Sequence, residues 1–322
     1  MGGTLQKRAR IHRAKNVLQS LLLMLGMTAI AAACAWTIWG GEGVFWAFFG
    51  VALLLLLSPS VPPGVILSMY RAQEIPRHEL PQVHAYLERL AGRAGLPSIP
   101  RLFYVPSSTL NAFAVGSPRS AAIAVTDGLF HTLSDREFLG VLAHEVSHIR
   151  NNDLWVMGLA DVIGRVTSVF SYAGMLLLAI NLPLLLIGAS PVSWILVLLL
   201  VFAPTLMSLL QLALSRSREF DADLGAAELT GDPAGLASAL HKMERYQGRF
   251  WEELVFPGRR IPEPSLLRTH PPSEERIRRL LDLQPARAPA SGDLPEHAAM
   301  YLPAGLHRIE RRPGWRWPGL WY

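Results

Sequence analysis

The segment Ser134–Asn151 reads SDREFLGVLAHEVSHIRN. Ser134 followed three residues later by Glu137 is the pattern of a capping box, which opens a helix. Phe138, Leu139, Val141, Leu142 and Val146 then recur at helical spacing. The spacing predicts a helix to about Asn151. Within it, His144 and His148 are four apart and share a face. Two imidazoles so placed can reach one Zn²⁺ at ~2.0–2.1 Å each. Glu145 projects beside that face, where its carboxylate reaches a water rather than the metal. Chance alone yields such a five-residue motif now and then. In a capped, apolar-periodic helix, however, charged groups at these positions have no packing purpose.

A catalytic zinc needs a third protein ligand and an open fourth position. The chain has one cysteine, Cys34, inside an apolar run, so a thiolate site is excluded and a disulfide within the chain is impossible. The best candidate is Glu219 in Ser217-Arg218-Glu219-Phe220-Asp221-Ala222-Asp223. Asp223 lies four residues on and can accept a hydrogen bond from the distal nitrogen of a ligand histidine. A solvated acidic helix face is the plain alternative for this stretch. Pairing with the histidine motif favours the ligand reading.

Outward from these motifs the chain is apolar. Of its 322 residues 51% are hydrophobic and only 17% charged, a balance expected of a protein that shares its length with a bilayer. The formal charge of +5 could suggest nucleic acid, but the basic residues form no recognition signature. They flank apolar runs instead. Lys7, Arg8, Arg10, Arg13 and Lys15 precede Val17 to Trp39; a tight Gly40–Gly43 turn is expected next; Val44 to about Tyr70 follows, with Arg71 and Arg77 after it. A second hairpin is expected from about Val169 to Gly188, a Ser190-Pro191 turn, and Trp194 to about Leu214, bounded by Arg150, Arg165, Arg216 and Arg218. Asp161 and Arg165 place Trp155–Ile163 at or outside the interface. Spans of ~20 residues cross a ~30 Å hydrocarbon core, and the Lys/Arg placement puts the ends of both hairpins in the cytoplasm.

The expected architecture is therefore mainly α with a small β element: four transmembrane helices in two hairpins and a cytoplasmic, zincin-like domain. Its parts are 1–70 (basic N-terminus and first hairpin), 71–168, 169–214 (second hairpin), 215–284, and a tail, 285–322, of unknown role. His78–Gly95 reads as an amphipathic helix, Arg101–Val105 as a strand, and Asn111–Gly116 and Ala121–Thr126 as two short strands. Asp232-Pro233 and Ser273 each open a further helix.

Taken together, Asn111-Ala112-Phe113-Ala114, Thr126-Asp127-Gly128-Leu129, Leu142-Ala143-His144-Glu145-Val146-Ser147-His148, Ser217-Arg218-Glu219-Phe220 with Ala222-Asp223, and Thr269-His270-Pro271-Pro272 resemble the HtpX-like family of membrane zinc endopeptidases. That family is related to the membrane proteases that trim prenylated proteins. The likeness covers about residues 1–283. It implies His144, His148 and Glu219 as ligands of one Zn²⁺ per chain, and Glu145 as catalytic acid/base. It also implies that the strand Asn111, Ala112, Phe113, Ala114 lies near an unfolded or membrane-protein polypeptide substrate, held by β-addition. A bacterial inner-membrane location and a role in quality control of misfolded membrane proteins follow from the resemblance alone, whereas cytoplasmic termini are expected from the Lys/Arg placement. Competing readings are a dedicated processing protease of the prenyl-protein type, a catalytically silent scaffold, and a transporter. The scaffold would have lost a ligand or Glu145. The transporter would carry ionisable groups deep in several spans.

His270 is the remaining candidate. The residue before a proline is held extended, so Pro271 and Pro272 aim it in a fixed direction. It is expected over the zinc site, as an oxyanion donor or as a resting-state plug of the open zinc position. A helix-entry turn with a locally bonded histidine is the alternative.

Overall fold

The computed structural model describes residues 2–57, 63–186, 188, 192–254, 273–283, 315–316 and 320–321. His270, the Ser190-Pro191 turn and most of the 285–322 tail lie outside them. In chain order the elements are α1 (Gly2–Leu57), α2 (Pro63–Met69), β1 (Gln73–Glu74), α3 (Pro81–Ala94), β2 (Arg101–Val105), β3 (Ala112–Val115), β4 (Ala122–Thr126), α4 (Asp127–Thr132), α5 (Asp135–Asn151), α6 (Asp153–Leu186), α7 (Trp194–Thr230), α8 (Pro233–Leu254), α9 (Ser273–Asp282) and the two short strands β5 (Trp315–Arg316) and β6 (Leu320–Trp321). They divide into two compact units. One holds Met1–Arg13, Val61–Leu154 and Arg218–Tyr322; the other holds Ala14–Ser60 and Trp155–Ser217.

The first unit is built on a four-stranded sheet of order β1-β2-β4-β3. β2 and β4 are parallel; β1 and β3 join them antiparallel. All of β4 is buried, which fits a central strand read as an unbroken apolar run. Alternation divides the sheet's faces. Leu102, Tyr104, Ile123 and Val125 meet α3, α5 and α8 in the main core. Phe103, Val105, Ala122 and Ala124 meet Leu67 of α2. Helix α5 runs through that main core, every residue from Glu137 to Ser147 buried. Its N-terminus carries the expected capping box, Ser134 and Glu137 answering each other across the first turn. The other Glu137 oxygen accepts from Ser238 Oγ at 2.5 Å, and Lys242 Nζ is 2.6 Å from Oε2. One carboxylate thus caps α5 and ties it to α8. Close packing of the two helices needs Gly140: a Cβ there would stand 2.9 Å from the backbone nitrogen of Leu236.

The second unit consists of long apolar helices. Among the described residues three helical segments are long and apolar enough to cross a membrane: Ala14–Leu53 within α1, α6 and α7. Leu18, Leu21, Leu22, Ile195, Phe202 and Leu209 are among many large apolar side chains left exposed on them. Surfaces of that extent are disfavoured in water and expected against lipid. Met27, Ile163 and Met207 pack inward between the helices, as do Cys34, Phe170 and Leu200.

One expectation needs correction here, and two helices run beyond the spans expected of them. The Gly40–Gly43 turn is instead a two-residue break inside α1, at Trp39 and Gly40, with Gly40 at φ 61°. α6 begins at Asp153 rather than near Val169, because the Asp161–Arg165 pair bonds along the helix surface, 2.8 Å apart at one contact, without ending it. α7 continues to Thr230 without a stop near Leu214. Hydropathy marks where lipid ends, and a helix need not end there.

Candidate metal centre

Helix α5 presents His144 and His148 one turn apart, ring planes perpendicular and centroids 4.6 Å apart. Their Nε2 atoms are 3.0 Å from each other. The Arg218–Thr230 part of α7 brings up Glu219, whose oxygens lie 3.5 Å from His144 Nε2 and 3.6 Å from His148 Nε2. The close crossing of the two helices depends on Gly225, where any Cβ would run into Ser147 of α5. One ligand atom from each of His144, His148 and Glu219 lies within 4.8 Å of the others. Bonds of ~2.0–2.1 Å at tetrahedral angles put donor atoms ~3.3–3.4 Å apart. The two Nε2 atoms stand 3.0 Å apart, and each has a different Glu219 oxygen near it, Oε2 at 3.5 Å from His144 and Oε1 at 3.6 Å from His148, all close to that value. Two imidazoles and one carboxylate are a donor set for a divalent cation of the zinc class.

Behind the histidines stand carboxylates. His144 Nδ1 lies 3.1 Å from Asp223 Oδ1, though poorly aligned for a hydrogen bond. His148 Nδ1 makes a well-formed 2.8 Å hydrogen bond to Asp153 Oδ2. Burial works to lower the His144 pKa, but the adjacent Asp223 and Glu219 carboxylates outweigh it and raise it to about 10.

Two buried arginines balance the acids. Arg276 of α9, 2% exposed, clasps Asp223 with two bonds of 2.7 Å and reaches Glu219 Oε2 at 2.9 Å. Burial opposes ionisation of Asp223, yet Arg276 holds its carboxyl below the usual range. Arg218 donates to Asp153 Oδ1 at 3.2 Å and pairs with Asp221.

Glu145 is buried beside His144 in a cleft also lined by Asn111, Ala112, Leu240 and Arg276. Thr126 fixes the approach to that cleft: its hydroxyl donates to the carbonyls of Thr109 and Asn111 and accepts from the Asn111 amide. β3 is the last strand of its sheet. Of the four strand residues singled out from the sequence, Asn111 and Ala112 line the cleft; Phe113 turns to Tyr70 on the other face, centroids 5.0 Å apart, and Ala114 packs on the main core.

A model of peptidase family M48 matches residues 77–284, which contain His144, Glu145, His148, Asp153, Arg218, Glu219, Asp223 and Arg276. A protease HtpX homolog of Methylibium petroleiphilum is 34% identical over 84% of this chain and 99% of its own length. One of Pyrococcus abyssi is 37% identical over 80% of this chain and 93% of its own. The chain belongs to peptidase family M48. As a member of that family it is a hydrolase of peptide bonds, and its apolar helices make it a membrane metallopeptidase. The crystal structure of S. mikatae Ste24p aligns at a TM-score of 0.47 and 19% identity, over 86% of this chain and 66% of that one.

Sequence reasoning missed Asp153, Arg218 and Arg276 in this M48 site. Asp153 reads as an ordinary acid at a helix start. Arg276 is one of three arginines in Ser273–Asp282, and nothing local says which of them turns inward. Arg218 stood within the quoted motif, without a role.

Proposed function

We propose that this M48 peptidase is a zinc endopeptidase. His144, His148 and Glu219 hold one Zn²⁺ and Glu145 is its acid/base. The observation that carries the reading is the convergence of the three donor atoms, with Glu145 next to them at the cleft. Zinc bound there supplies Lewis acidity and makes water acidic near neutral pH. Glu145 takes a proton from the attacking water and hands it to the leaving amine. Asp223, clasped by Arg276, orients His144. An extended substrate pairs with the outer edge of β3, so its main chain is read before its side chains. Such a site favours unfolded segments, which supports clipping of misfolded membrane proteins as the role; the HtpX homologues support the peptidase activity itself.

The break at Trp39–Gly40 supports two crossings by α1, since Ala14–Leu53 at ~1.5 Å per residue is about twice the ~30 Å core. With α6 and α7 that makes four spans in a bacterial inner membrane, with Lys/Arg placement putting the peptidase unit and both termini in the cytoplasm. Reporters inserted at Gly41 and Ser190 should then face away from the cytoplasm, and a cytoplasmic Gly41 defeats the assignment.

The deciding experiment measures zinc content and casein cleavage together on detergent-purified protein. Glu145→Gln should keep one zinc per chain and lose ~10²–10⁴-fold in turnover. Loss of zinc with activity would make Glu145 a ligand and overturn the assignment.

A further inference from the structure

His148 uses both ring nitrogens. Nε2 faces His144 and Glu219. Nδ1 bonds to Asp153 at 2.8 Å. We propose that Asp153 is the positioning residue of this site: its carboxylate accepts Nδ1–H and holds His148 in the tautomer whose Nε2 lone pair points to the metal. The inference rests on the zinc reading of His144, His148 and Glu219.

Local geometry makes Asp153 available. In an unbroken helix a residue five positions on is rotated ~140° away from the first, so Asp153 would miss His148. The helix is broken at Asn152, which takes the left-handed conformation at φ 56° and ψ 38°. Asparagine is among the few residues that tolerate it. The turn returns Asp153 to the ring. The second oxygen is also committed, to Arg218 at 3.2 Å, and Arg218 is itself held by Asp221. A chain Asp221–Arg218–Asp153–His148 therefore sets the ring's direction.

The simpler role for an acid here is to complement the dipole at the start of α6. That role asks for charge near the helix end and no particular direction. Asp153 is instead 4% exposed, with both oxygens spent on named partners. Its bond to His148 is also better formed than the contact Asp223 makes with His144. Of the two carboxylates behind the histidines, Asp153 holds its ring more firmly.

The test is zinc affinity of the full detergent-purified chain, by competition with a chromogenic chelator, alongside melting at saturating zinc. Asp153→Asn keeps the shape, but its amide can turn its N–H₂ toward Nδ1 and drive the proton to Nε2. Affinity should fall ~10–100-fold, with melting at saturating zinc near wild type. Asp153→Glu keeps the charge but shifts the carboxylate from its 2.8 Å seat. It should fall between the two, and it gives the reading on its own if the Asn variant is recovered unfolded. One tightly bound zinc in wild type with unchanged affinity in the variants would overturn the inference while leaving the zinc site standing. No zinc in wild type would instead overturn the zinc reading itself.

Discussion

Replacing Arg276 by methionine keeps the length of the stem and removes the charge. The guanidinium makes three contacts of 2.7, 2.7 and 2.9 Å with Asp223 and Glu219, and it is 2% exposed. Water cannot replace it. Breaking a buried pair by deleting one partner costs ~3–5 kcal/mol, most of it from the charge left behind. For a unit of this size each kcal/mol moves melting by ~2–4 °C, so a fall of ~6–20 °C is expected. α9 keeps its other anchors, Leu280 in the core and Arg279 3.7 Å over the Phe220 ring.

Zinc should change the size of that deficit. A dication at His144, His148 and Glu219 supplies the positive charge that Arg276 no longer gives, and it binds the folded state alone. The variant should therefore lie far below wild type in EDTA and recover more than half of the gap in saturating zinc. The assay is thermal scanning of intrinsic fluorescence, with nine tryptophans as reporters. It is read on the transition that zinc moves in wild type, since a two-unit chain need not melt in one step. A melting point in EDTA within ~2 °C of wild type would refute the buried-charge argument. So would a deficit that zinc leaves untouched, because then the lost charge is not the cause.

Three further outcomes are expected. Gly140→Ala should destabilise the peptidase unit by ~1–3 kcal/mol, since the added methyl meets the Leu236 backbone at 2.9 Å; equal or higher melting would show that α5 and α8 can part without loss. Burial pushes the Glu137 carboxyl up, but hydrogen bonds from Lys242, Ser238 and Ser134 outweigh it and hold the pKa below the ordinary value of ~4.3. Its contribution is complete above that ordinary value and is lost as pH falls through the depressed one. Glu137→Gln should thus lower melting at neutral pH and flatten the acid limb, and an acid limb parallel to wild type would contradict this. Glu219→Ala should weaken zinc binding more than Asp223→Ala, whose loss should be ~10–100-fold; the reverse order in chelator competition would exchange their roles.

What the sequence made legible was local. The capping box of Ser134 and Glu137, the strand Arg101–Val105 and the starts at Pro233 and Ser273 stand where their own residues place them. The His144–His148 spacing and the Glu219–Asp223 spacing also carry their geometry with them, because each is one turn of one helix. What stayed hidden depends on distant partners or on a single dihedral. Arg276 meets Asp223 across 53 residues, and only docking of α9 separates it from Arg279, whose side chain is 47% exposed. Asp153 becomes useful through the left-handed turn at Asn152, and asparagine before aspartate does not announce that turn.

The arginines also bear on how the acids divide around the proposed metal site. Glu219 and Asp223 lie on one face of α7; Glu219 reaches both histidines and Asp223 reaches His144. Asp223 spends both oxygens on Arg276, at 2.7 Å each, and Glu219 Oε2 stands 2.9 Å from the same guanidinium. Asp153 is likewise divided between Arg218 and His148. Glu145, Asp153, Glu219, Asp221 and Asp223 set five buried acids against two buried arginines. With neutral imidazoles the cluster keeps a threefold negative excess, which a single dication reduces to one. The arginines therefore do not compete for the cation's place. They occupy the acids that orient the histidines, and the remaining negative field stays on the side of the cluster where His144, His148 and Glu219 converge.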